Sequence, residues 1–579
     1  MKDKKPLDSG ADGVEEGKRL IRLGGDRGLS LAERVSERFQ RLTWRTPLHA
    51  MRLKGRHPLK LIAVADDPFF GDLTRGNALL EGKVSFRGET RDLATLDFAK
   101  TGWSKPFGDY LQSFAWLRDL SSVTTRAVAA PIAETLTRAW LAAHGEKVSD
   151  PAWRADLWGR RILFWTAHAP LILSSNDLVY RSSMLHALAR GARHLDRAAE
   201  RVPPGPARVA AWCGVLAAGL IMPGGDPRRA FGEAGLQRAL AASVFEDGGT
   251  IGRSPYGQLD TVMLLTMLRE TYAARRLEAP EFLRTTLART VTALLGVCHG
   301  DKGLASWQGG APISGDIIQQ VVEATGVRTR PLKQAREWGY QRLSAGSTVL
   351  IMDAAPPPVA RLIEGGCAST LAFELSDGPD RLVVNCGGGR MAHSAVPHAL
   401  TEGLRTTAAH STLTVGDSNS TAIHSDGTLG RGVAEVELSR HESDTASRIE
   451  ASHDGYVRRF GFLHRRQIAL SPDGRDVRGE DMLLPAGRGR KRSEMTPFAI
   501  RFHLHPGIEI SPTADGQAAI LRTPGGAIWQ FRARGGSMAI DASLWIDGAG
   551  RPHASEQIVI TGESPLGGTN VGWLFHRAR

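Results

Sequence analysis

The chain has 579 residues but only four cysteines, Cys213, Cys298, Cys367 and Cys386, widely separated and with no CxxC pair. That scarcity argues against a disulfide scaffold and a zinc site, and leaves buried thiols as the expectation. No matched set of His and Asp suggests a bound metal, and no cofactor is expected. Long apolar runs are missing too. The most hydrophobic stretch, Ile162 to Leu173, is short and interrupted by His168 and Pro170, so no spanning helix is expected. The N-terminal segment MKDKKPLDSGADGVEEGKRLIRLGG lacks the apolar core of a secretory signal, which gives the cytoplasm as the expected compartment. No helix-turn-helix, zinc or aromatic RNA-reading pattern is visible, so nucleic acid is not an expected partner.

What is present describes a globular protein. Hydrophobic residues make up 42% and charged residues 23% of a chain too long for one core, so two or more domains are expected. A net charge of +12 favours a polyanionic partner without choosing among polysaccharide, nucleic acid and membrane. The sharpest basic run, RGRKR from Arg488 to Arg492, is flanked by glycine and reads first as a solvated loop.

Residues 1–30 have no apolar period and read as a mobile arm. From 31 to 335 the pattern is helical. Trp158, Ile162, Trp165, Ala169 and Ile172 fall on one helix face, as do Leu178, Leu185, Leu188, Ala192 and Leu195, and again Leu283, Leu287, Val291, Leu294 and Cys298. Breaks such as RVPPGP and MPGGDP end one helix and begin the next. Serial helices with short connections predict antiparallel pairs closing into a solenoid or an α/α toroid. From 340 to 579 the period shortens to runs such as STVLIM, RLVV, STLTV, QAAIL and AIWQFR, divided by Gly, Asp and Pro, which predicts an antiparallel β-sandwich. The expected fold class is α+β multidomain, helical toroid first and sandwich second.

Several segments carry a resemblance. They are YLQSFAWLRDL from Tyr110, WGRRILFW from Trp158 and DGGTIGRSPYGQL from Asp247 in the first half. In the second half they are LAFELSDG from Leu371, RLVVNCG from Arg381, RTTAAHSTL from Arg405 and HDGY from His453. In this order and spacing the chain resembles the heparinase II/III-like polysaccharide lyases, as a divergent member, over roughly residues 30 to 570. The resemblance implies β-elimination on a uronate-containing polysaccharide, hence a carbon–oxygen lyase, and an envelope or periplasmic setting that conflicts with the N-terminus. That chemistry needs a donor or cation at the substrate carboxylate, a base for the C5 proton and an acid for the departing oxygen.

By the resemblance Tyr256, in RSPYG, is the proton-transfer candidate; its residues read equally well as a helix start with Ser254 as N-cap and Pro255 first. Arg253 and Arg405 are candidate carboxylate binders, with salt bridging as the alternative for Arg253. His410 is the best imidazole in the second half, with a structural role at a strand edge as the competing assignment. Asp247, with Gly248 and Gly249, suits turn chemistry, His453 and Tyr456 suit a strand-orienting turn, and Asn176 a helix N-cap. The resemblance also predicts a His shortly before LAFEL and an Asn on an earlier helix. GGCAST (Gly365–Thr370) has no His, and ARVAAWCGVLAAGL (Ala207–Leu220) has no Asn. Two functions therefore stay open: a lyase acting on an anionic polysaccharide, and a non-catalytic protein that binds an acidic glycan or envelope polymer. Oligomeric state is not legible.

Overall fold

A computed structural model of the chain describes residues 14, 17–22, 44, 46–100, 102–359, 365–487 and 494–578. The RGRKR run and most of the expected arm lie outside them. Helices from Leu73–Leu80 to Gly315–Thr325 build the first half as an α/α toroid. Two antiparallel sheets build the second half from Tyr340 onward.

The helix Pro206–Ile221 is apolar on every side and is buried along nearly its whole length, as a helix surrounded by others must be. It packs between Ala155–Ala167 and Asp226–Ser243. The expected stripe from Trp158 to Ile172 spans two helices, Ala155–Ala167 and Ala169–Ile172. The break at His168 follows from Pro170, whose ring clashes with the carbonyl four residues back. The helix Leu178–Ala198 is capped by Asp177, which accepts from the amides of Val179 and Tyr180; this corrects the cap by one residue from Asn176. Arg161 lies fully buried inside the toroid, 4.2 Å from the ring centre of Trp140 and 4.4 Å from that of Trp158. It donates to the carbonyls of Gln112 and Ala152. The aromatic stripe is thus core, and a buried guanidinium replaces part of its packing with cation–π contact.

The sandwich pairs a nine-stranded sheet with an eight-stranded one. Its strand Thr348–Asp353 is buried at every position. Leu350 and Met352 join the core between the sheets, and Val349 and Ile351 join the core of the toroid. A strand covered on both faces needs no polar alternation, which is why STVLIM reads as a continuous apolar run. Where a mobile arm was expected, Gly17–Arg22 forms the edge strand of the nine-stranded sheet, antiparallel to Glu435–Glu442. Lys18 and Arg22 pair with Glu437 and Glu435 at 3.0 and 2.9 Å. All four cysteines are buried free thiols. Among the described residues no helix is long and apolar enough to cross a membrane.

Burial pushes the pKa of His194 and of His503 down to about 3. Both rings are therefore neutral in the folded chain, whereas the unfolded chain protonates them below an ordinary value of about 6.5. A base with a depressed folded pKa contributes stability above its unfolded pKa and loses it as pH falls. Each ring should cost about 2 kcal/mol at pH 5 relative to pH 7. The urea midpoint should accordingly stay level above neutrality and fall steeply below pH 6; a midpoint unchanged between pH 7 and 5 would contradict this.

Candidate functional site

The helix Pro255–Ala274 begins at the junction of the two halves. Ser254 caps it, its hydroxyl accepting from the Gly257 amide, and Pro255 occupies the first turn. Tyr256 follows, half-buried, and its hydroxyl has no hydrogen-bond partner among the described residues. It faces the turn Trp307–Gly310, where a β-carbon on Gly310 would lie 3.0 Å from the Tyr256 Cβ. One turn along the helix, Asp260 holds Arg160 through paired bonds of 2.6 and 2.5 Å.

Over this junction reaches the hairpin formed by Lys83–Phe86 and Glu89–Asp92. Arg87, at its turn, donates to the Gly548 carbonyl at 2.8 Å, and its own carbonyl accepts from Ser394. Burial lowers the Arg87 pKa, and the Tyr256 oxygen, if ionised, would oppose that shift. The next residue, Gly88, has a left-handed φ of +79°, and a β-carbon there would meet the His393 ring at 1.9 Å. Only glycine satisfies both demands. His393 accepts from the Ala395 amide through Nδ1, so the neutral ring carries its proton on Nε2. Arg390 stands beside Gly309, its Cβ 3.2 Å from a β-carbon placed there.

Arg253 is placed elsewhere. It has a left-handed φ of +53°, and its side chain is buried. Its guanidinium donates to the carbonyls of Trp338, Ala355 and Pro356 and forms an ion pair with Asp353. The Tyr340 hydroxyl donates to the Arg253 carbonyl at 2.7 Å. These bonds make Arg253 a strut between the halves. Arg405 is likewise enclosed, donating to Gly366, Glu402 and Gly427. Neither arginine is brought to the groove beside Tyr256.

His410 is buried, and its Nδ1 lies 2.7 Å from the Thr406 carbonyl. Nδ1 must then carry the proton, leaving a lone pair on Nε2, which has no hydrogen-bond partner among the described residues. Burial lowers its pKa, opposed by the Thr406 carbonyl and more weakly by Asp353 and Glu374. No contact joins His410 to Tyr256.

Where the resemblance predicts an imidazole before LAFEL, Gln308 reaches across from the toroid. Its Oε1 accepts from the Cys367 amide at 2.9 Å and its Nε2 donates to Ser369 at 3.1 Å. Ser369 in turn donates to Asp353 at 2.7 Å. Beside it, His299 bonds Glu374 at 2.9 Å and Ser376 at 3.1 Å, and Asn385 donates to Glu374 at 2.9 Å. Asp247 serves a turn, accepting from Gly249, Glu337 and Trp338 amides. His453 lies inside the sandwich, 3.2 Å from His464, and the Tyr456 hydroxyl donates to Leu413. Sequence reasoning missed Arg87, Gln308, Arg390 and His393. The glycine pair of WQGG was the one local signal, since adjacent glycines mark a close approach. Among the described residues no cluster of three His, Cys, Asp or Glu is arranged to hold a metal.

Comparison with known proteins gives the following likenesses. The family described as Heparinase II/III-like, C-terminal, matches residues 327–574. FtsZ-localized protein C of Caulobacter vibrioides is 29% identical over 560 residues, covering 92% of each chain. Among solved structures, heparinase III aligns with a TM-score of 0.65 at 12% identity, over 96% of this chain and 93% of that one. The chondroitin AC lyase of Streptomyces coelicolor aligns with a TM-score of 0.52 at 11% identity, over 93% and 80%. At such identities the structural likeness establishes the fold.

Removing one partner of a buried ion pair leaves the other unpaired, at a cost of about 3–5 kcal/mol. Arg253→Ala should therefore lower the unfolding free energy by that amount. Tyr256→Phe, which removes a hydroxyl without a partner, should change it by under about 1 kcal/mol. Urea titrations of both variants check this, and equal effects would remove the strut from the account.

Proposed function

From the match of residues 327–574 to the heparinase II/III-like C-terminal family, we propose that the chain is a heparinase II/III-like protein that acts by binding rather than by β-elimination, in association with FtsZ. The observation that carries this reading is the enclosure of the cationic and imidazole groups. Arg253, Arg405 and His410 are all buried within the protein. A general acid or base contributes about 10²- to 10⁴-fold to such a reaction. Tyr256 keeps its place in the groove without an imidazole bonded to it. The relative that aligns over nearly the full length is named for its localisation with FtsZ, which supports the same association, and a cytoplasmic setting, for this chain. The net charge of +12 suits a polyanionic surface as the binding partner, an acidic glycan or envelope polymer included.

A second reading, a carbon–oxygen lyase on an anionic polysaccharide, is favoured by one observation. The Tyr256 hydroxyl is unengaged and lies within electrostatic reach of Arg87, a cation able to hold a uronate carboxylate. The two readings separate in one experiment. The full chain is incubated with heparan sulfate, hyaluronate, alginate and bacterial acidic exopolysaccharides while the ultraviolet absorbance of unsaturated uronate is followed, and in parallel it is spun down with FtsZ polymers. Co-sedimentation with no absorbance rise is the expected result. An absorbance rise that disappears in Tyr256→Phe would sink the binding reading and establish the lyase, with Tyr256 as its proton-transfer residue.

A further inference from the structure

A cavity of about 290 Å³ is lined by residues of both the toroid and the sandwich, Tyr256 not among them. It sits at the lower edge of the roughly 300–1,000 Å³ range of ligand sites, room for one ring rather than an oligomer. Asp301, Pro312, Ile313 and Ser314 form one wall, and Pro379, Asp380, Arg381, His505, Pro524 and Trp545 form the others. Gly548, whose carbonyl receives Arg87, closes the end toward the hairpin.

The chemistry of this lining is specific. Arg381 and Asp301 neutralise each other, through bonds of 2.8 and 3.3 Å, and Arg381 gives a further donor to Leu304 at 3.1 Å. Asp380 accepts from the Gly525 amide through Oδ2, which leaves Oδ1 free to accept. His505 accepts from the Gly507 amide through Nδ1, so a neutral ring presents an N–H on Nε2. Burial lowers its pKa to about 4, which keeps the ring neutral near pH 7. Trp545 packs edge-on against His505, ring centres 4.7 Å apart, and its indole N–H has no hydrogen-bond partner among the described residues. The cavity therefore offers apolar faces from Trp545, Ile313 and three prolines, two free N–H donors and one free carboxylate oxygen. Its net charge is negative, although the chain as a whole is strongly positive.

We infer that this cavity is a binding site for a single uncharged hexopyranose. The ring's C–H face would lie on Trp545, and its hydroxyls would donate to Asp380 Oδ1 and accept from His505 and Trp545. A uronate is disfavoured here, because its carboxylate would meet Asp380 with no free cation to receive it. The site is separate from the groove at Tyr256 and does not depend on whether that groove is catalytic.

Saturation-transfer NMR on the full chain with N-acetylglucosamine, glucose, glucuronate and a polyproline peptide tests this assignment. Both neutral sugars should show transfer, and glucuronate should bind more weakly. Trp545→Ala should weaken binding of the neutral sugars about tenfold, Trp545→Phe should retain most of it, and Asp380→Asn should weaken it without loss of folded structure. The inference is overturned if neither sugar shows transfer, if transfer is unchanged in both Trp545→Ala and Asp380→Asn, if glucuronate binds as well as glucose, or if only the peptide binds. Should Trp545→Ala fail to fold, Asp380→Asn and Trp545→Phe decide the matter.

Discussion

One buried ion pair stands immediately before the helix that carries Tyr256 and ties the toroid to the sandwich. Arg253 and Asp353 meet where the toroid touches the outer face of the eight-stranded sheet, and neither reaches solvent. A buried charge is tolerable only when it is paired and its remaining groups are bonded. Here the carbonyls of Trp338, Ala355 and Pro356 take the other guanidinium donors, and Ser369 serves the second carboxylate oxygen. Arg253 has a left-handed backbone conformation directly before Ser254, the cap of the helix that carries Tyr256.

The same contact explains why part of the site was legible in the sequence and part was not. The toroid and the sandwich follow from local periods, 3.6 and 2, which survive in a single chain. Ser254 and Pro255 announced the helix start by their own chemistry, and their positions are as read. Arg253 was different. A cation beside a candidate catalytic Tyr reads as a substrate binder, because its partner Asp353 is 100 residues away, at the end of a strand whose apolar run gives no hint of a buried carboxylate. Arg87 and His393 were invisible for a related reason. Each is ordinary in its own segment and becomes notable only because the hairpin turn at Gly88 is laid against His393. The edge strand Gly17–Arg22 was missed because its stabilisation comes from pairing with Glu435–Glu442 and from two exposed ion pairs, not from an apolar face.

The interface between the halves is polar to an unusual degree for a surface that also buries Val349, Ile351, Trp338 and Tyr340. His299, Glu374, Ser376 and Asn385 form one closed network, and Gln308, Ser369 and Asp353 form another. Networks of this kind add little net stability against an apolar interface, but each unsatisfied alternative is costly, so they select one relative orientation of the packed halves. That orientation is what a groove between two domains needs if it is to keep a fixed shape.

A fixed shape, however, is not sufficient for β-elimination. The reaction needs charge stabilisation at a carboxylate and two proton transfers in one place, and electrostatic stabilisation works only where donors aim at the reacting atoms. In this chain the positions that the resemblance assigns to catalysis are engaged in structural bonds, Arg253 across the halves and Arg405 and His410 within the second half. Gln308 stands bonded where an imidazole was expected, and the helix Pro206–Ile221 is packed with apolar side chains where an amide was expected. Arg253 and Arg405 hold the framework. Side chains bonded inside the framework are not free to turn toward a substrate, which is the physical ground for the binding reading proposed above. What remains beside Tyr256 is Arg87, anchored to the Gly548 carbonyl, and the proposal of a binding role rests on that difference from a complete catalytic set.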